Sequence, residues 1–150
     1  MRVDTKYFGS VEIDEAELLV FKHGIPGFED KHRYFLAKYN DESPFFILQS
    51  VDEPGLAFVL IGMEQVAPGY SIEITDEVVA ELKISQPEEA AFFTIVNMTG
   101  ELVEATVNLA APLLINTREK LGKQIILNNP SYSMKHPLFS GGQDRVEAVK

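Results

Sequence analysis

Residues 45–61 read Phe-Phe-Ile-Leu-Gln-Ser-Val-Asp-Glu-Pro-Gly-Leu-Ala-Phe-Val-Leu-Ile. Two apolar runs, 45–51 and 57–61, flank Asp52-Glu53-Pro54-Gly55. A Pro-Gly pair between such runs predicts a hairpin, because Pro presets φ and Gly accepts the conformation that other residues avoid. Phe45 and Phe46 are neighbours, so on a strand their rings point to opposite faces. Either both faces of this strand are covered, or one ring belongs to an exposed apolar patch.

The same pattern recurs on both sides of the hairpin. Residues 34–39 form a strand candidate ended by the polar turn Asn40-Asp41-Glu42-Ser43-Pro44. Further upstream, Val3, Thr5 and Tyr7 alternate with Arg2, Asp4 and Lys6 as far as Gly9-Ser10, and Val11 and Ile13 alternate with Glu12 and Asp14. Residues 18–21 are an apolar run. Downstream, runs 91–98 and 102–109 flank Thr99-Gly100, and 113–116 and 124–127 flank a basic tip at 117–123. Helix signals are few. Thr75 caps a short segment, 76–82, whose first turn is acidic, and Ser85 with Glu88 resembles a capping box with Pro87 inside it. From Asn128 the strand pattern stops, and residues 139–150 read as a mobile C-terminal tail. Many short strands with Gly/Pro turns predict a mainly β chain, closed or sandwich-like, with one or two short helices.

Bulk properties exclude several classes of function. The chain has 150 residues, 45% of them hydrophobic, enough to fill the core of one domain. Its net charge is -10, and residues 1–116 carry 7 Lys/Arg against 20 Asp/Glu. Phosphate binding needs clustered cations, so direct nucleic-acid partners and anionic membrane surfaces are both disfavoured. An acidic body favours a basic protein partner. There is no cysteine, which removes disulfides, thiolate metal sites and cysteine nucleophiles and is compatible with a cytoplasmic location. The first residues lack the apolar run of a signal peptide, and no stretch approaches the length of a spanning helix.

A search for chemistry is mostly negative. His23, His32 and His136 show no metal-ligand spacing, and there is no Gly-x-Ser-x-Gly elbow and no phosphate-binding glycine pattern. Glu12, Asp14 and Glu17 lie close enough in sequence to hold a hard cation, but scattered acids are expected in so acidic a chain. A hydrolase using Glu12, Asp14 and His23, and a small-molecule or flavin-binding barrel, are the rival readings. Neither a cofactor nor a metal is expected.

Residues 21–29, Phe-Lys-His-Gly-Ile-Pro-Gly-Phe-Glu, are the other informative stretch. Pro26 biases Ile25 towards an extended conformation, and Gly27 falls where a type II turn needs φ > 0. Gly24 permits a second change of direction or a close backbone approach. A stiff loop showing Ile25 and Phe28 suits a binding surface, since little entropy is lost on binding. Alternatively, both side chains plug the end of a β-core.

Four separated motifs then converge: 21–30, Phe-Lys-His-Gly-Ile-Pro-Gly-Phe-Glu-Asp; 44–50, Pro-Phe-Phe-Ile-Leu-Gln-Ser, followed by Leu56-Ala57-Phe58-Val59; 107–116, Val-Asn-Leu-Ala-Ala-Pro-Leu-Leu-Ile-Asn; and 122–127, Gly-Lys-Gln-Ile-Ile-Leu. In this order, over about residues 1–138, they resemble the FliW family of flagellar assembly factors. The resemblance implies a small β-barrel-like domain over 1–138 with no enzymatic activity, acting in the cytoplasm. It implies two partners: flagellin, and CsrA, an RNA-binding repressor of flagellin synthesis that is bound allosterically once flagellin is exported. The sequence departs from many relatives at Gly62-Met63-Glu64, which leaves the geometry of 62–68 open. The expected contact surface is Ile25, Phe28 and Glu29 with Phe45 or Phe46 beside them, on a protein that is monomeric when free.

Overall fold

A computed structural model describes residues 1–98 and 100–138. The tail expected at 139–150 lies outside the described residues.

The elements in chain order are β1 (Arg2–Asp4), β2 (Ser10–Glu12), β3 (Leu19–Phe21), β4 (Arg33–Lys38), β5 (Phe45–Ser50), β6 (Ala57–Gly62), α1 (Met63–Val66), α2 (Asp76–Glu81), β7 (Ala90–Asn97), β8 (Thr106–Val107), β9 (Leu113–Asn116), β10 (Leu121–Gln124) and β11 (His136–Pro137). β3 to β7 form an antiparallel meander. β7 also pairs with β9, β9 with β10, and β10 runs parallel to β3, which closes a seven-stranded barrel. Closure removes the exposed edges of the sheet. The mainly β expectation therefore holds, with two short helices.

Strand alternation builds two cores. Leu19, Phe21, Ile25, Tyr34, Leu48, Leu60, Leu113 and Ile115 fill the barrel. Ile61, Met63, Val96, Ala105, Val107 and Leu109 form a second core on its outer face, with α1 and Leu138 contributing partly buried side chains. β8 and β11 extend the sheet from β7 over this face.

The β5–β6 hairpin forms in the expected place, and two buried polar side chains lock it. Gln49 Nε2 donates to the carbonyls of Ser50, Pro54 and Leu56 (2.9, 3.1 and 3.2 Å). Ser50 Oγ accepts from the amides of Asp52 and Glu53. Gln49 Oε1 accepts from Lys6 N at 3.0 Å, which pins the β1–β2 hairpin to the barrel.

Four expectations need correction. β1 stops at Asp4 rather than reaching Tyr7, because Thr5 Oγ1 donates to Gly9 O and accepts from Phe8 N, closing a turn. In place of a strand over 102–109 there is a short 3-10 turn and the two-residue β8; Asn108 Oδ1 accepts from Ala110 N and bends the chain. The basic tip ends at Lys120, so Gly122 and Lys123 belong to β10, and the strand lies at Leu121–Gln124 instead of 124–127. Gly122 is there for packing, since a Cβ on it would strike the Phe21 ring. The pattern also continues past Asn128, where His136 pairs with Val107. The segment left open after Gly62 turns into α1, with Met63 buried.

Candidate functional site

Loop 22–30 starts where β3 leaves the barrel. Gly24 N donates to Phe21 O (2.8 Å), and Phe28 N donates to Ile25 O (2.6 Å) across the Pro26-Gly27 turn. Gly27 has φ 93° and Gly24 φ 67°, so the type II turn and the second change of direction are both present. Gly27 N donates to Glu29 Oε2 at 3.1 Å, which holds the acid against the turn.

The expected contact residues separate. Ile25 is only 2% exposed and belongs to the barrel core; it plugs the barrel end and shows no tip to solvent. Phe28 is 38% exposed, with one edge against Phe58 (5.6 Å between ring centres), and Phe58 continues inward to Tyr34. Glu29 is exposed. Phe46 points into the barrel and meets Phe93 at 5.4 Å. Phe45 points outward, and about 10 Å of strand separates it from Leu48, the residue paired with Phe58. The two adjacent rings do take opposite faces, but neither lies beside Phe28.

Phe45 instead lies in an outer groove of about 310 Å³, lined by Tyr7, Tyr39, Phe45, Ile47, Val59, Val96 and Met98. Tyr7, Tyr39 and Met98 are 42%, 46% and 47% exposed. Tyr7 meets Tyr39 edge to face at 6.3 Å, which fixes the rim. A second groove across Phe45 is lined by Pro44, Ile61, Gln65, Val66 and Leu138. The pairing of Phe45 with Phe46 signalled this face. Tyr7, Tyr39 and Met98 gave no sign, because nothing local shows that the loops after β1, β4 and β7 converge.

The candidates for catalysis are not brought together. Glu12 pairs with the N-terminal amine (3.3 Å) and Arg2 (3.9 Å), and Asp14 accepts from Ala16 N as a cap. His23 Nε2 lies 2.7 Å from Glu81 Oε2, and Lys123 Nζ lies 2.8 Å from Glu81 Oε1. His32 Nδ1 lies 3.0 Å from the Phe21 carbonyl oxygen, a structural partner. Among the described residues, no group of three His or acidic residues is placed to hold a metal, and no helix is long and apolar enough to cross a membrane. Tyr34 hydroxyl is the one buried side-chain polar atom among them without a partner, and burial pushes it up to about 12.

The Lys123 ammonium, and then His23, hold the Glu81 carboxyl below the usual range. A depressed acid stabilises the fold above its unfolded pKa, near 4.3, and loses that contribution as pH falls through its folded value. Glu81→Gln therefore lowers the urea midpoint at neutral pH, and the gap to wild type closes in acid below about pH 4. A gap that is unchanged across this range would show that the two ion pairs contribute nothing.

A family model described as FliW protein matches residues 2–138. Relatives named flagellar assembly factor FliW are similar along nearly their whole length. The one from Geobacillus kaustophilus is 42% identical over 93% of this chain and 96% of its own, and the one from Clostridium botulinum strain 657 is 33% identical over 93% and 97%. A crystal structure of the flagellar assembly factor FliW superposes with a TM-score of 0.85 at 40% identity, covering 93% of this chain and 97% of that one. With matching family model, relatives and barrel, the chain belongs to the FliW family.

Proposed function

We propose that this protein is a flagellar assembly factor, not an enzyme, that binds flagellin in the cytoplasm. When flagellin is exported, the freed protein binds CsrA and relieves repression of flagellin translation. The observation that carries this reading is similarity over 93% of the chain to proteins named flagellar assembly factor FliW, one of them at 42% identity. Two features of the surface support it. Phe28 and Glu29 sit on a turn stiffened by Pro26 and by the Glu29–Gly27 hydrogen bond, so little freedom is lost on docking. Phe45 opens onto an apolar groove, and apolar contacts of this kind set complex lifetime. The rival flavin-binding barrel needs an open interior, but Phe21, Tyr34, Leu48 and Leu60 fill this one.

Phe28→Ala tests the loop. Its ring is more than a third exposed, so truncation costs only about 1–2 kcal/mol, well below the ~3–5 of an emptied core site. The expected result is a folded variant with flagellin or CsrA affinity reduced about tenfold or more by calorimetry. A folded variant that binds both partners as wild type does would remove Phe28 from the contact surface.

A further inference from the structure

We propose that residues 139–150 of this chain cover its own outer face. The segment folds back from Leu138 across Phe45, seats Phe139 and Val146 on the apolar surface there, and sets Arg145 against Asp41 and Glu42. The two grooves across Phe45 form one track. Phe45 pairs with Ile61 and Ile47 with Val59, and all four side chains line the grooves on the outer face of β5 and β6. Two residues along a strand span about 7 Å, so the grooves run end to end. Pro44, Val66 and Leu138 stand at one end of the track, and Tyr7, Tyr39 and Met98 at the other. Those last three are among the eight large hydrophobic side chains exposed in the described residues. Such clustering marks interaction sites, whereas scattered exposure does not. The far rim is preformed, since Gln49 holds Lys6 N and the Tyr7 ring rests on Tyr39.

The place where the described chain stops selects the occupant. Leu138 N donates to Ala105 O at 2.9 Å, and the Leu138 side chain already lines the track. Residue 139 therefore departs from the track itself, and it is a phenylalanine. The family match also ends at residue 138, just where the segment begins. A few extended residues, at about 3.3 Å each, cover the two strand steps to the far rim, and the segment has twelve. Gly141-Gly142 lets it turn onto the face. Charge agrees with this placement. Asp41 and Glu42 border the track beside Pro44, and neither takes part in an ion pair among the described residues. The segment balances Arg145 and Lys150 against Asp144 and Glu147, in a chain of net charge -10. It therefore approaches this border without the repulsion that a second copy of the acidic body meets. A segment tethered at the track also acts at an effective concentration of about millimolar, so any other occupant has to displace it.

The test uses the full chain, whose lack of cysteine lets one pair at a time be introduced. A disulfide closes only when the two Cα atoms come within about 7 Å. Val146→Cys is combined with Tyr39→Cys on the track or, for comparison, with Val20→Cys on β3 outside it. Tyr39, Val20, Asp41 and Glu42 are all exposed, so these changes leave the fold intact. Under mild oxidation the expected result is intramolecular closure at 39–146 about tenfold or more faster than at 20–146. Arg145→Glu slows closure at 39–146, and adding Asp41→Lys/Glu42→Lys restores it. In a chain otherwise wild type, Phe139→Ser/Val146→Ser shifts the Met98 methyl resonance and leaves that of Met134, outside the track, in place. Equal closure rates for the two pairs overturn the proposal, and so does a Met98 methyl that does not move. Disulfide-linked dimers in place of intramolecular bonds overturn it in favour of a second copy on this face. A charge swap that restores nothing overturns the Arg145 contact.

Discussion

Gly24→Ala destabilises the fold by about 3 kcal/mol, the sum of a left-handed backbone penalty of about 1–2 and an overpacking cost of about 1–3. Gly24 has φ 67°, and a Cβ there would lie 2.7 Å from both the Phe28 carbonyl oxygen and Glu29 Cα, and 2.8 Å from Glu29 O. All three atoms are backbone, so no rotamer change relieves the contact. The loop has to move as a body, and Ile25 leaves the barrel end with it. Gly27→Ala is the internal control. Its φ of 93° is also left-handed, but a Cβ there meets nothing within 4 Å, so only the backbone penalty of about 1–2 kcal/mol applies. Urea unfolding of the two variants separates the effects. Equal losses at both positions would show that the close approach at Gly24 costs nothing.

Asn116→Ala has an effect of similar size, about 3 kcal/mol, because it strips partners from four backbone groups at once, one of them buried and three partly buried. Asn116 is fully buried at the end of β9. Its Nδ2 donates to Leu82 O (2.7 Å) and Lys83 O (3.1 Å), where α2 ends and Lys83 takes φ 55°. Its Oδ1 accepts from Arg118 N (2.9 Å) and Glu119 N (3.0 Å), shaping the β9–β10 turn. One amide therefore terminates a helix and a hairpin together. Asn116→Asp keeps the acceptor but sets a carboxylate against two carbonyl oxygens, so it is no rescue at neutral pH. Thermal unfolding together with hydrogen exchange checks this: both variants lose stability, and protection falls in α2 as well as in the turn. Loss confined to the turn would contradict the bridging role.

How much was legible in the chain follows from how local each signal is. The β5–β6 hairpin was readable because two long apolar runs meet at Pro54-Gly55, and its lock, Gln49 with Ser50, lies within the same few residues. The cap at Thr75 was readable too, and Thr75 Oγ1 accepts from Val78 N. The Gly24–Gly27 loop was legible as a turn, but its orientation was not. Ile25 and Phe28 are both apolar, and only the closed barrel decides that Ile25 goes in and Phe28 stays half out. Gly122 misled for a related reason, since a glycine near a basic tip reads as a turn. The demand for it comes from Phe21, a hundred residues away in sequence, across the parallel β3–β10 pair. The outer groove was half legible. Adjacent Phe45 and Phe46 had to face opposite ways, but its rim draws Tyr7, Tyr39 and Met98 from the separate loops after β1, β4 and β7.

The proposed exchange of flagellin for CsrA is measured by calorimetric titration with cognate CsrA, into the free protein and then into protein preloaded with flagellin. The expected result is tight binding by the free protein that saturating flagellin abolishes, with the reciprocal loss of flagellin affinity when CsrA is bound first. Absence of binding to both proteins would rule out the exchange, and so would tight CsrA binding that flagellin leaves untouched.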